Sequence, residues 1–153
     1  MKPNETILKT AYDLAVSASK NDEVPVGAVI YHSDTGKIIS TAHNQTEEIK
    51  NPLAHAELIA INKALQTLKQ KRLNGYSLFV TLEPCTMCAG AISLARLDAV
   101  YFGAFDKKTG AICQGAKVFT QTQTHHKPLC EGGFNEYENG NILTEFFKKK
   151  RKK

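Results

Sequence analysis

Two short segments constrain this chain more than anything else in it: His55-Ala56-Glu57 and, 26 residues further on, Glu83-Pro84-Cys85-Thr86-Met87-Cys88. One imidazole and two thiolates suit three corners of a tetrahedron around Zn²⁺, whose borderline-soft character favours nitrogen and sulfur. Any fold that uses them must carry residue 55 to residues 85 and 88. No fourth protein ligand is evident, so the expected centre is His55, Cys85 and Cys88 with one position left for water, the pattern of a catalytic zinc. Glu57 stands two residues after His55 in the first turn of an expected helix. It need not bind the metal and is placed to move protons at the water. A redox Cys-x-x-Cys pair and a purely structural metal site are the competing readings. Neither accounts for Glu57 standing beside His55.

Length and composition set the frame for that centre. A chain of 153 residues makes one domain and buries about 70% of its unfolded surface, enough for a core without disulfides. With 42% apolar and 23% charged residues, it is neither disordered nor collagenous. No apolar run approaches the ~18 residues of a membrane span. The first residues, Met1-Lys2-Pro3-Asn4-Glu5, lack the pattern of a secretory signal, so no membrane and a cytoplasmic location are expected. In that compartment the close pair Cys85/Cys88 points to metal or redox chemistry. Cys113 and Cys130 have no such spacing and are expected to be small buried apolar residues.

Periodicity supplies the elements. Apolar residues at helical spacing predict a helix over Asn4 to Lys20. Val26 to Tyr31 and Lys37 to Ala42 predict a hairpin around Ser33-Asp34-Thr35-Gly36. A polar loop over Asn44 to Pro52 leads to a helix from Ala54 to Lys69. Leu78-Phe79-Val80 and Ala99-Val100-Tyr101-Phe102 are buried strands, with a small apolar helix between them over Ala89 to Ala95 and Pro84 as its first residue. A short strand is expected around Pro128 to Cys130 and a closing helix over Phe134 to Lys148, with Asn139-Gly140-Asn141 weakening its middle. A hairpin followed by alternating β and α gives an α/β domain with a mixed sheet.

The net charge of +5 is concentrated at one end. Lys148 to Lys153 are all Lys or Arg, so the other residues together sum to one negative charge. The expected organisation is a single domain over 1–147 and a basic end over 148–153, either a solvated tail or an arm that meets polyanions.

The residues between Glu23 and Ala111 also carry a resemblance. Glu23-Val24-Pro25-Val26-Gly27-Ala28-Val29, His43-Asn44, Ala54-His55-Ala56-Glu57, Thr81 to Ala91, Phe102-Gly103-Ala104 and Asp106-x-Lys108-Thr109-Gly110 together resemble the bacterial tRNA adenosine deaminases of the cytidine-deaminase-like superfamily. The H-x-E…P-C-x-x-C pattern is the established signature of zinc nucleobase deaminases, so its chemistry is known and not deduced from spacing.

That resemblance implies a three-layer α/β/α fold with a five-stranded mixed sheet, a homodimer, one Zn²⁺ per chain, and conversion of the wobble adenosine of a tRNA anticodon loop to inosine. It implies Glu57 as proton shuttle and Asn44 as a hydrogen-bonding partner of the purine. Val26, Pro25 and Ala56 would line the substrate pocket, and Asp106 and Lys108 would lie near flanking sugars and phosphates. Simpler roles stay open for some of these: a turn cap for Asn44, core packing for Pro25 and Val26, a solvated loop pair for Asp106 and Lys108. The stretches Cys113 to Thr124 and Asn139-Gly140-Asn141 depart from the family pattern. Two other functions fit the same residues, a deaminase of free bases or nucleosides and a non-enzymatic zinc module that binds RNA.

Overall fold

The computed structural model describes residues 1–152; Lys153, the last of the basic end, lies outside the described residues. The chain runs through α1 (Glu5–Lys20), β1 (Gly27–His32), β2 (Ile38–His43), α2 (Ala56–Leu68), β3 (Tyr76–Leu82), α3 (Thr86–Leu94), β4 (Ala99–Ala104), β5 (Leu129–Glu131) and α4 (Glu136–Arg151). A 3₁₀ turn at Val118–Thr120 precedes β5. The sheet order is β2-β1-β3-β4-β5. β1 is antiparallel to both β2 and β3, whereas β3, β4 and β5 are parallel. This is the mixed five-stranded sheet that the hairpin and the β/α alternation predict.

Strand alternation divides the core between two faces. Ile30, Leu78, Val80, Val100 and Phe102 meet Ala60 and Ala64 of α2 and Ala89 and Ile92 of α3. Val29, Phe79 and Tyr101 point the other way, toward Ile7 and Ala11 of α1. α4 lies beside α1 and packs over β4. The result is three layers.

α1 begins at Asn4, whose Oδ1 accepts the Ile7 N–H at 2.9 Å and so satisfies one of the helix's orphan donors. Three of its four buried residues, Ala11, Ala15 and Ala18, are small, and at Ala11 the sheet comes very close. A Cβ at Gly27 would stand 2.0 Å from the Ala11 carbonyl oxygen and 3.0 Å from Leu14 Cβ. Backbone cannot yield there as a flexible side chain would. Gly27→Ala is therefore expected to lower stability by about 1–3 kcal/mol, the range for overpacking a core. Denaturant unfolding checks this, and a midpoint equal to that of the unchanged protein would refute it.

Three expectations need correction. α3 starts at Thr86 with Cys85 as its N-cap, so Pro84 lies before the cap and not at the first helical position. Pro84 and Cys85 are instead held by the neighbouring loop: the Pro84 carbonyl accepts the Ala111 N–H at 2.9 Å, and Cys85 bridges to Gly110. Asn139-Gly140 does not interrupt α4. Asn139 is 3% exposed, its amide donates to the Phe134 carbonyl at 3.0 Å, and it packs directly on Gly103 of β4. Finally, Cys113 and Cys130 are exposed. Cys130 lies on β5, a three-residue strand at the sheet edge with all its residues exposed.

The basic residues 148–151 form the last turn of α4. Lys150 pairs with the Asp22 carboxylate at 2.9 Å and sits 5.6 Å from the centre of the Phe146 ring.

Candidate active site

Two helix starts face each other at the carboxyl end of β3. His55 is the N-cap of α2 in extended conformation, and Glu57 lies in that helix's first turn. Cys85 is the N-cap of α3, and Cys88 stands three residues on. An N-cap side chain and the side chain three residues later lie close together, the geometry that capping boxes exploit. Here the two side chains are thiols.

His55 Nδ1 lies 3.7 Å from Cys85 Sγ and 3.5 Å from Cys88 Sγ, and the three ligand atoms all lie within 4.8 Å of one another. A tetrahedral ion with Zn–S near 2.3 Å and Zn–N near 2.0 Å sets adjacent sulfur and nitrogen ligands about 3.6 Å apart. The trio therefore has the spacing of a tetrahedral edge, and its donors fit one zinc ion per chain.

The electrostatics agree with cation binding. Both helix N-termini present positive dipole ends, which favour thiolate over thiol. Hydrogen bonding from Cys88, opposed by burial and helped by His55, brings the Cys85 thiol down to about 4. The hydrogen bond with Cys85 and burial push Cys88 up, and the bond between the Cys85 sulfur and His55 raises the imidazole. A cation entering this trio displaces the protons its members share, so metal binding is coupled to proton release. Burial pushes the Glu57 carboxyl up to about 7, against its own backbone hydrogen bond and His55, which lower it. A carboxyl near neutrality can both accept and return a proton.

A cavity of about 740 Å³ opens over His55, Glu57 and Cys85. Val26, Asn44, Asp106 and Lys108 also line it, as expected, whereas Pro25 and Ala56 do not. Both of those are buried, and the Ala56 N–H is taken at 2.8 Å by Asn44 Oδ1. Asn44 thereby caps α2 from a distance. The Asp106 carboxylate accepts the N–H groups of Lys108 and Thr109, both at 3.0 Å, so it shapes the loop that it exposes to the cavity.

Sequence reasoning missed two kinds of contributor. Phe147 of α4 lines the same cavity, and so do Lys150 and Arg151, which the sequence offered only as part of a basic end with nothing in its spacing to tie it to His55. Glu23 and Glu83 are buried carboxylates at 0% and 2% exposure. Glu23 accepts the Glu47 and Glu48 N–H groups at 3.0 and 2.7 Å, holding the loop that leads from β2 to His55. The available signal was an acidic residue inside or beside a strongly apolar run.

Comparison with known proteins adds to this geometry. Residues 1–104 match the zinc-binding region of the cytidine and deoxycytidylate deaminases. The chain is 47% identical over 137 residues to a tRNA-specific adenosine deaminase of Agrobacterium fabrum, covering 90% of this chain and 89% of the relative. It is 41% identical over 155 residues to that of Bacillus subtilis, covering all of this chain and 94% of the relative. The chain belongs to the tRNA-specific adenosine deaminases. A solved structure from a study of A-to-I editing by tRNA:A34 deaminases superposes on this member of the family with a TM-score of 0.88 at 44% identity, covering 92% of this chain and all of the other. A Bacillus subtilis guanine deaminase is 39% identical with a TM-score of 0.62, over 67% of this chain and 64% of the other.

Proposed function

We propose that this protein hydrolyses the wobble adenosine of a tRNA anticodon loop to inosine, with release of ammonia. The observation that carries this reading is one cavity lined both by His55, Cys85 and Glu57 and by three cationic side chains, Lys108, Lys150 and Arg151. A free base needs no such walls. A polyanion does.

When bound, zinc would supply a nucleophile near neutral pH by lowering the pKa of water to about 7. Glu57, lining the cavity beside His55 and Cys85, would act as the proton carrier, taking a proton from the attacking water and delivering it to N1 of the purine as the water oxygen bonds to C6. It would then take the remaining proton from the C6 hydroxyl and hand it to the exocyclic amine, so that the C6–N bond breaks, ammonia leaves, and C6 keeps the oxygen as a carbonyl. With its Oδ1 engaged by Ala56, Asn44 offers the purine its amide donor. Val26 gives the ring an apolar wall, and Pro25 and Ala56 support Val26 and Asn44 from behind. A loop nucleotide is already partly unstacked, so turning it into the pocket costs less than flipping one from a duplex.

The test is direct. The zinc-loaded protein is expected to release ammonia from a tRNA anticodon stem-loop with one adenosine converted to inosine, and to leave free guanine, cytosine and adenine unchanged. Turnover of free bases alone would favour the free-base deaminase, and stem-loop binding without inosine would favour the RNA-binding module.

The basic end of α4 makes a separate prediction. Phosphate contacts position a nucleic acid without reading its sequence. Replacing Lys150 and Arg151 by Gln is expected to flatten the slope of log affinity against log salt. The change is roughly 0.7 for each single-stranded phosphate no longer neutralised and 0.9 for each duplex one. Equal slopes would assign these residues to solubility alone.

We also propose a homodimer in the cytoplasm. Leu53 and Leu94, 55% and 83% exposed, are apolar surface that a second copy would cover, and sedimentation at micromolar concentration tests the assembly. No described helix is long and apolar enough to cross a membrane.

A further inference from the structure

We propose that Glu83 is a positioning residue for substrate recognition, its buried carboxylate clamping the loop 106–114 onto the turn that carries Cys85. The proposal rests on the tRNA reading above and deepens it, because this loop brings Asp106, Lys108 and Thr109 to the cavity wall.

The carboxylate is engaged on both oxygens. Oε1 accepts the Asp106 N–H at 3.0 Å and the Gln114 side-chain amide at 3.3 Å. Oε2 accepts the N–H groups of Ile112 at 3.1 Å and Cys113 at 2.8 Å. All four donors are neutral amides, and together they span the whole loop. Such a set requires a group that only accepts, and an ionised carboxylate is the side chain that does so. At 2% exposure these bonds offset its desolvation.

The loop is closed against the same turn at a second point. The Ala111 N–H donates to the Pro84 carbonyl at 2.9 Å, and Gly110 bridges Cys85. A Cβ at Gly110 would stand 2.5 Å from the Asp106 carbonyl oxygen and 2.6 Å from the Glu83 carboxyl. Only a glycine lets the loop come this close.

The sheet does not depend on this side chain. β3 and β4 are already paired from Ser77↔Ala99 to Leu82↔Ala104, and the Glu83 backbone N–H continues the ladder to the Ala104 carbonyl at 2.9 Å. What the carboxylate adds is the placement of the chain beyond β4. Through it, the residues expected to meet the RNA are tied directly to the turn bearing a metal ligand.

Glu83→Gln tests this without changing volume. Whichever way the amide is turned, its NH₂ faces two of the four N–H donors, so two hydrogen bonds disappear. The zinc-loaded variant is expected to hold one zinc per chain and to unfold cooperatively. Its KM for the anticodon stem-loop is expected to rise at least about tenfold, the scale of removing one or more hydrogen bonds to a buried charge, while kcat falls by a smaller factor. Hydrogen exchange is expected to quicken at Ile112 and Cys113 and to stay slow in β3 and β4.

A merely structural role would lower zinc content and apparent kcat in step at unchanged KM. That result, or unchanged exchange in the loop, would overturn the proposal. If Glu83→Gln does not accumulate folded, Gly110→Ala carries the test: it keeps the carboxylate but pushes the loop away from it. The same rise in KM is expected there, and an unchanged KM overturns the clamp. Should the unaltered protein form no inosine on the stem-loop, the tRNA reading fails, while the exchange measurement still decides the clamp.

Discussion

Cys88→Ala is expected to yield protein without zinc and without deaminase activity, and Cys85→Ala the same. Cys88 is fully buried with its sulfur 3.5 Å from His55 Nδ1, so no nearby water can replace it as a ligand without opening the core. Zinc contributes on the order of 10 kcal/mol to small structural sites, which makes some loss of thermal stability part of the expectation. The activity loss is expected to exceed about 10³-fold, because the attacking water is no longer acidified to near neutral pH. Metal analysis after gel filtration, set beside ammonia release, checks both halves. Full zinc occupancy in Cys85→Ala would remove that residue from the ligand set.

Glu57→Gln is expected to separate metal from proton. The variant should keep its zinc and bind tRNA, yet lose about 10²–10⁴-fold in kcat, the range for removing a general acid–base group. Glu57 is 4% exposed and opens onto the cavity beside His55 and Cys85, so no bulk water can do its work from the same position. Single-turnover deamination of the stem-loop measures the step itself. A variant that lost zinc, beside a Cys85→Ala variant that kept it, would exchange the two roles.

Much of this centre is legible in the sequence because its parts are local. His55 and Glu57 share one helical turn, as do Cys85 and Cys88, and a metal's ligand chemistry supplies the rule that joins the two turns. The strands are legible for a similar reason: Leu78 to Val80 and Ala99 to Phe102 are apolar runs that can only be buried. What escapes depends on distance. Lys150 meets the cavity because α4 crosses over β4, and no periodicity in its own segment records that crossing. Glu83 is visible as part of a motif, yet its four donors lie 23 to 31 residues away in a loop whose glycines hide its path. Cys113 and Cys130 mislead because a small apolar character says nothing about a loop or an edge strand. Asn139 looks like a helix breaker because the glycine it packs against, Gly103, belongs to another element.

The position of α4 also sets an order of events during synthesis. The three residues of the metal trio have all been made by residue 88, whereas the wall formed by Phe147, Lys150 and Arg151 arrives with the last turn of α4. N-terminal parts of a chain emerge and fold first. A chain cut before Phe147 would keep His55, Cys85 and Cys88 but lack one side of the cavity.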